Sequence, residues 1–328
     1  MKKIKITFIY VLTLCFSIAF AQQTPASKQT KTIAITGATA HIGNGTVIDN
    51  SLIIFKDGKL TTVVDFTNAK IDLSGAKVID AKGKHVYPGF IVPNSTLGLV
   101  EIDAVKASDD DSEMGLMNPH IRSIIAYNAE SKVVESMRPN GVLLGQITPR
   151  GGRLSGTSSI VQFDAWNWED AAIKTNDGIH LNWPNSFTRG RWWLGEDPGL
   201  KPNKNYNKQI NSLTNYLTES KAYNSIKSQA KINLPYKALQ GIFDESKKLY
   251  IHVHNEKGIV DAINFFKEND IKNMVIVGGS EAYKVTNALK QNNIPVILKR
   301  VHSTPNADDD DYDLPFKTAK LLVEKGIL

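Results

Sequence analysis

Two histidines that are two residues apart are the strongest candidates for chemistry in this chain. They are His252 and His254, and they belong to the segment from Tyr250 to His254, whose apolar residues are typical of a β-strand. Because side chains alternate along a strand, His252 and His254 would project from the same face, with their Cα atoms about 7 Å apart. Neutral imidazole is a good ligand for zinc and similar ions. The spacing predicts a metal site at His254 and His252, whereas the alternative is a strand histidine that only bonds a neighbour.

Other residues could contact a substrate. Gly278 and Gly279 lie between a predicted strand and a predicted helix, where bare backbone amides favour an anionic group. A tight turn is the alternative there. His302 follows another predicted strand, although a surface-loop histidine would look the same. Arg153, like Arg150, could hold a carboxylate. No residue is predicted to be the catalytic acid or base.

The elements that must position these residues follow from the pattern after Pro88, where strands alternate with helical stretches. The predicted strands are 141–147, 159–163, 249–254, 273–277 and 294–298, and the predicted helices are 207–231, 258–268, 280–291 and 314–325. Such alternation is typical of parallel β/α units and predicts an α/β fold. Spacing alone barely separates a barrel from a doubly wound sheet.

The part before Pro88 has a different pattern. Between Thr32 and Tyr87, short apolar runs are broken by glycine-rich turns, and Asp57-Gly58 between two runs is a strong hairpin signal. The pattern predicts strands without helices, forming the N-terminal part of a small β-sandwich domain at 31–87.

The junction of these two parts resembles that of the amidohydrolase superfamily. The resemblance is carried by residues 76–102, which include VIDAKGKHVYPGFI at 78–91, and by residues 234–298. The second stretch, with LPYKAL at 234–239, IHVH at 251–254, VIVGG at 275–279 and IPVI at 294–297, is similar to the imidazolonepropionase-like branch. The resemblance implies a (β/α)8 TIM-like barrel at 88–328, with an insertion at about 105–200. It also implies a divalent metal, zinc being the expected one, that activates a water.

The match departs from the family at the metal ligands. The first barrel strand of the family carries His-x-His, and these positions fall on Asn94 and Thr96 here. The fifth-strand ligand maps to His254, while the sixth-strand position falls on 277–279, which contain no ligand. The family's eighth strand, with its catalytic aspartate, would follow Leu328, so we expect the sequence to be a fragment.

The N-terminal sequence and the composition indicate where the protein acts and which partners are excluded. Residues 1–21 are typical of a secretory signal peptide cleaved after Ala21, followed by a polar leader at 22–30, which predicts a periplasmic or secreted protein. Cleavage would remove the only cysteine, and the formal charge would fall from +6 to +3 with the three lysines of the signal. This charge is too small to favour a nucleic-acid partner. We expect no stable membrane span in the mature chain.

Together these features favour an exported, metal-dependent hydrolase of C–N bonds, acting on cyclic amides or small peptide-like molecules. The alternative is a non-catalytic relative that binds a ligand or pairs with an active paralogue; the same chain could also form a homo-oligomer. The segment 166–193 contains all five tryptophans, so a carbohydrate-binding module is a third hypothesis.

Overall fold

The computed structural model describes residues 24–226, 231–305 and 309–328. The predicted signal peptide lies outside the described residues. The chain divides into two compact units. The first comprises residues up to Ile91 together with Met137–Leu143 and Asp164–Trp166, and the second comprises Val92–Ser136, Leu144–Phe163 and Asn167–Leu328.

The first unit contains a five-stranded sheet. Its strands are β1 (Thr32–His41), β2 (Val47–Lys56), β3 (Lys59–Asp65), β4 (Ala76–Asp80) and β5 (His85–Val86). The order is β3-β2-β1-β4, and β5 also pairs with β1. β1 is antiparallel to β2 and parallel to β4 and β5. Its residues 24–89 form one sheet and no helix, so the predicted strands are present, whereas a second sheet that would make a sandwich is not seen among them.

The hairpin predicted at Asp57-Gly58 joins β2 to β3. Both turn residues have positive φ, 51° for Asp57 and 73° for Gly58. This backbone is typical of a type I′ turn, whose twist matches that of the two strands. The turn therefore fixes the register in which Lys56 faces Lys59, and the sequence prediction of a hairpin is confirmed.

The second unit is built on a seven-stranded, barrel-type sheet. Its strands are β6 (Phe90–Ser95), β7 (Val142–Ile147), β8 (Leu154–Gln162), β9 (Ala172–Asn182), β12 (Lys248–Val253), β13 (Met274–Gly278) and β14 (Val296–Leu298). The order is β14-β13-β12-β9-β8-β7-β6. A separate hairpin pairs β10 (Phe187–Arg189) with β11 (Leu200–Pro202).

The strand directions show both a confirmed prediction and a difference. β12 is parallel to β9 and to β13, and β13 is parallel to β14, as the predicted β/α units require. β8 is antiparallel to β7 and to β9. Both β8 and β9 come from the segment that the resemblance treats as an insertion. This segment, at about 105–200, also contains β7, so it contributes three neighbouring strands to the seven-stranded sheet.

Helices cover one face of this sheet. They are α1 (Lys132–Met137), α2 (Trp168–Ala171), α3 (Tyr206–Ser225), α4 (Leu234–Ala238), α5 (Gln240–Phe243), α6 (Glu256–Glu268), α7 (Thr286–Gln291) and α8 (Leu314–Glu324). Among the described helices, none is both long and apolar enough to cross a membrane. The α/β class predicted from the sequence is confirmed.

Helix α6 shows why these residues fold as they do. The Asn255 side chain accepts a hydrogen bond from the Gly258 backbone N–H at 2.7 Å, which caps the first turn. Ile259, Ile263 and Phe266 recur at helical spacing and are buried in the main core. The cap and the apolar stripe together place α6 directly after β12, against the outer face of the sheet.

Strand β12 has two faces with different roles. Leu249, Ile251 and Val253 belong to the core that packs against the helices. Tyr250 belongs to a separate cluster with Val275 and Val277 of β13. Since His252 alternates with Ile251 and Val253, it shares the face of Tyr250, the face directed away from the helices.

Candidate functional site

The histidine at position 252 lies near the carboxyl end of β12 and contacts a histidine of the neighbouring strand β9. His180 is in register with Tyr250, and their rings stack with centroids 4.6 Å apart. The Nδ1 atom of His180 and the Nε2 atom of His252 are 2.9 Å apart. One ring therefore donates a hydrogen bond to the other. We call these two residues the histidine pair.

Burial keeps the histidine pair uncharged. His180 is fully buried, and this burial, with smaller contributions from His252 and Arg150, holds its pKa well below the ordinary value. Burial also lowers the pKa of His252 to about 3, with the charge of Arg150 as the next cause. Both rings are neutral at neutral pH, in the form that can accept a proton or a hydrogen bond.

His254 follows the strand and lies over a glycine of β13. A Cβ atom added to Gly278 would lie 2.4 Å from Cε1 of His254. Gly278 also has a φ of 101°, a backbone conformation that side-chain-bearing residues rarely adopt. Partial desolvation and the nearby charge of Lys299 lower the pKa of His254. Glycine at 278 is thus what allows the imidazole of His254 to sit there.

We expect Gly278→Ala to destabilise the chain by about 2–4 kcal/mol, because backbone strain and a steric clash with His254 add together. Urea unfolding measures this loss. Gly45→Ala is the matched control, since Gly45 has a φ of 90° but would meet nothing within 4 Å. Equal losses in the two variants would show that contact with His254 contributes nothing.

The backbone amide at Gly279 is not free, so the predicted pair of bare amides is wrong at this residue. Its N–H donates to the carbonyl of Val253 at 2.8 Å. The predicted helix 280–291 is also interrupted: a 3-10 turn at Ala282–Lys284 precedes α7. Val285 between them has φ −120° and ψ 28°, outside the helical region, and is buried. The glycines therefore form a tight turn, the alternative considered from the sequence.

An arginine reaches the same region from the loop after β7. The Nη1 atom of Arg150 donates to Oδ1 of Asn94 at 2.6 Å, and its Nη2 atom donates to the Asn94 carbonyl at 2.8 Å. The guanidinium is close enough to lower the pKa of both His180 and His252. Burial lowers the pKa of Arg150, and the charge of Asp111 opposes this with a smaller effect. Among the described carboxylates, none forms an ion pair with Arg150. A cation bonded to Asn94 thus lies beside the histidine pair.

A buried network of hydrogen bonds connects Asn94 to the strands that carry the histidine pair. Oε1 of Gln146 accepts from the Asn94 N–H at 3.0 Å, and its Nε2 donates to Asp177 at 3.3 Å. The Tyr250 hydroxyl donates to Asp177 at 2.5 Å, and Lys174 pairs with the same carboxylate at 2.7 Å. Three strands, β7, β9 and β12, are tied together by these contacts, and β6 joins them through Asn94. The network fixes Tyr250, on which the ring of His180 stacks.

The remaining predicted site residues lie elsewhere. Arg153 donates through Nη1 to the carbonyl of Asn182, so its guanidinium holds the end of β9. Burial lowers the pKa of Arg153. His302 is exposed and contacts the edge of Phe316, with ring centroids 5.7 Å apart. The structure therefore brings together His252, His254 and Gly278, but it does not bring Arg153 or His302 to the histidine pair by any contact among the described residues.

The donor set present does not fit a divalent metal. The Nε2 atom of His252 already shares a hydrogen bond with Nδ1 of His180, which leaves Nε2 as the nitrogen of His180 that is buried without a partner. Asn94 stands where the first family ligand is expected, and its oxygens accept from Arg150. No group of three or more His, Cys, Asp or Glu in residues 24–226, 231–305 and 309–328 could hold a metal ion. Structural zinc needs four ligands, and catalytic zinc needs three from the protein.

The sequence provided only part of this site. Sequence reasoning missed His180 as a partner of His252, and Asp177 and Gln146 carry no sequence signal of a shared network. A weak signal did exist for His180, since Gly178-Ile179-His180-Leu181 is a short, largely apolar run of the kind expected for a buried strand. What sequence could not give was the pairing of that strand with β12.

Comparison with solved structures identifies a protein with a similar fold. No protein-family model and no curated protein matches the chain. An amidohydrolase from Thermotoga maritima MSB8 is similar, with a TM-score of 0.75 and 21% sequence identity over 90% of this chain and 77% of that one.

Two further matches have low structural similarity. A prolidase complexed with N-methylphosphonate-L-proline has a TM-score of 0.44 at 12% identity, over 90% of this chain and 76% of that one. A β-aspartyl dipeptidase from Fervidobacterium islandicum AW-1, complexed with a β-Asp-Leu dipeptide, has a TM-score of 0.42 at 10% identity, over 90% and 72%. The Thermotoga structure therefore shows the fold. At that level the resemblance found in the sequence is confirmed: the chain has the fold of an amidohydrolase.

Proposed function

We propose that this chain binds a small molecule through a carboxylate or another anionic group, at the carboxyl ends of the strands of its amidohydrolase-type sheet. The observation that carries the proposal is the guanidinium of Arg150, which is held beside the histidine pair by Asn94. A partly buried cation without a carboxylate in contact is a site for an external anion, because arginine binds carboxylates with paired, charge-assisted hydrogen bonds.

A second cation supports the same proposal. The charged groups that act on His252, apart from the histidines, are Arg150 and Lys299. Lys299 directly follows β14 and lines a cavity of about 60 Å³, whose charged lining residues are two cations, Lys299 and Arg300, and one carboxylate, Asp310. A cavity of this volume admits a carboxylate but not a whole substrate, since one water takes about 30 Å³. The rest of the ligand would extend along the strand ends.

The proposal is tested by calorimetric titration with matched pairs of ligands. N-acyl amino acids and cyclic imides that carry a carboxylate are each compared with the corresponding carboxamide. We expect the carboxylate forms to bind at least about tenfold more tightly, and the difference to shrink with added salt. Equal affinity for the neutral forms, or no binding of any pair, would contradict the proposal.

A second candidate function is hydrolysis of a C–N bond in the same kind of ligand. It is favoured by the neutral histidine pair and by Nε2 of His180, which is buried without a partner. The test is hydrolysis of the same panel with added zinc, manganese or iron, with His254→Ala as the control. Turnover that is lost in His254→Ala supports a metal-dependent hydrolase. Binding without turnover under every condition supports a binding protein, which could pair with an active paralogue.

We also propose that the protein is exported. The support is the basic and apolar N-terminal sequence and the Ala19-Phe20-Ala21 cleavage motif. N-terminal sequencing of protein recovered from the periplasm or the medium should begin at Gln22, and recovery of full-length protein from the cytoplasm alone would contradict export.

A further inference from the structure

The amidohydrolase resemblance places two metal ligands at positions 94 and 96, and the structure shows what position 94 does here instead. Asn94 offers its side-chain oxygen and its carbonyl oxygen to the same guanidinium, at 2.6 and 2.8 Å. The backbone at Asn94 has a φ of 51°, which Asn tolerates better than most residues. The first-strand ligand position is therefore occupied by an acceptor of hydrogen bonds from a cation.

On the opposite side of the region, one histidine nitrogen is already engaged within the protein. The nitrogen of His252 that faces β9 is 2.9 Å from Nδ1 of His180. For a metal to bind this atom, the hydrogen bond within the histidine pair would have to break. One of these two nitrogens therefore carries a proton that it donates to the lone pair of the other, so this lone pair is not available to a metal.

From this geometry we infer that the guanidinium of Arg150, bonded to Asn94, takes the place of the catalytic metal ion, and that Arg150 excludes divalent metals from this site. Two positive charges a few ångströms apart repel each other strongly where water is partly excluded. A divalent ion would therefore have to displace the guanidinium from its two oxygens. The inference deepens the proposed function, since the same cation is the proposed anchor of the ligand.

The test restores the family ligands with and without Arg150. Four proteins are compared in a His41→Ala background: the parent, Asn94→His/Thr96→His, Arg150→Met, and the triple variant. The background change removes an unrelated exposed pair in the first unit, where Nε2 of His41 and Nδ1 of His85 are 2.9 Å apart. Each protein is incubated with zinc or cobalt and dialysed, and bound metal is measured by mass spectrometry and by cobalt absorption.

We expect less than about 0.1 equivalent of metal in the parent and in the double variant, and close to one equivalent in the triple variant. Equal metal contents in the double and triple variants, whether both high or both low, would overturn the inference, because Arg150 would then not be what excludes the ion. Circular dichroism of each protein verifies that it is folded.

A second measurement needs only the parent protein and one substitution. Calorimetric titration of the parent with zinc should show no binding that His252→Ala removes. Zinc binding tighter than about 100 µM that disappears in His252→Ala would overturn the inference even if the triple variant failed to fold. These experiments use metal alone as the probe, so failure of the carboxylate titration would contradict the proposed function and leave this inference standing.

Discussion

Replacing Arg150 with methionine is expected to weaken binding of a carboxylate ligand by about 30-fold or more. Removing one partner of a buried, hydrogen-bonded charge pair costs about 2–5 kcal/mol. Methionine keeps much of the side-chain length but loses the charge and all five donors. Calorimetric titration of the wild type and the variant with the tightest carboxylate ligand measures the loss.

The control for this variant is Arg153→Met. Arg153 was predicted from the sequence to contact substrate, but its guanidinium donates a hydrogen bond to the carbonyl of Asn182. We expect its replacement to lower stability while leaving the ligand affinity within about threefold of wild type. If Arg153→Met lost the affinity and Arg150→Met kept it, the sequence-based assignment would be right and the proposed site wrong.

Arg150→Lys distinguishes charge from geometry. Lysine keeps the positive charge but cannot donate to both oxygens of Asn94 with the fixed fork of a guanidinium. We expect an affinity between those of the wild type and Arg150→Met. An affinity equal to that of the wild type would show that only the charge matters and that the contact with Asn94 does not position the cation.

The second large effect is expected at Asp177, the buried carboxylate of the network. Asp177→Asn should destabilise the second unit by about 3–5 kcal/mol, because it removes the charge opposite Lys174 and places an amide NH2 against the donors of Tyr250 or Gln146. Asp177 is 3% exposed, so water cannot replace the lost acceptor. Equilibrium unfolding in urea, followed by tryptophan fluorescence, measures the change.

The pH dependence of stability provides a further check on Asp177. Burial by itself raises the pKa of this carboxyl, but hydrogen bonds from Lys174 and Tyr250 outweigh it and the pKa lies below its ordinary value. Stabilisation by the ionised form is therefore present above the unfolded-state pKa of about 3.9 and is lost as the pH falls through the folded-state pKa. In Asp177→Asn the decline in stability on the acid side should be shallower.

Tyr250→Phe is the matched control for the network. It removes the hydroxyl that donates to Asp177 but leaves the charge and the ring that stacks on His180. We expect a loss of about 1–3 kcal/mol and an acid-side decline between those of the wild type and Asp177→Asn, because one of the hydrogen bonds that lower the pKa of Asp177 is removed. A loss as large as that of Asp177→Asn would mean that the hydrogen bond from the Tyr250 hydroxyl, rather than the charge of Asp177, carries the stability.

Much of the fold could be predicted because its signals are local. The stripe of Ile259, Ile263 and Phe266 with the Asn255 cap specifies α6 within a few residues, and the turn at Asp57-Gly58 specifies the first hairpin. These elements are determined by residues that are close in sequence. The amidohydrolase junction is also a local pattern, and its fold-level implication is confirmed.

The failures share one cause, which is dependence on partners far along the chain. Strand β8 was predicted, but its antiparallel place between β7 and β9 depends on pairings that no local pattern encodes. Gly279 was expected to present a free amide, yet its N–H is used by Val253 of the neighbouring strand. Likewise, Arg153 has the chemistry to bind a carboxylate, but a carbonyl 29 residues away already accepts from it.

The sequence by itself determined which side chains share a face. Alternation in β12 puts His252 opposite Ile251 and Val253, whatever the rest of the chain does. Only the tertiary structure decided what that face contacts. His180, 72 residues before His252 in the sequence, lies at hydrogen-bond distance from it. Arg150 is hydrogen-bonded to Asn94, which is 56 residues before it. The physical reason is that side-chain direction follows from the geometry of a single strand. The contacts follow from strand order and register, which are set by burial of the whole core.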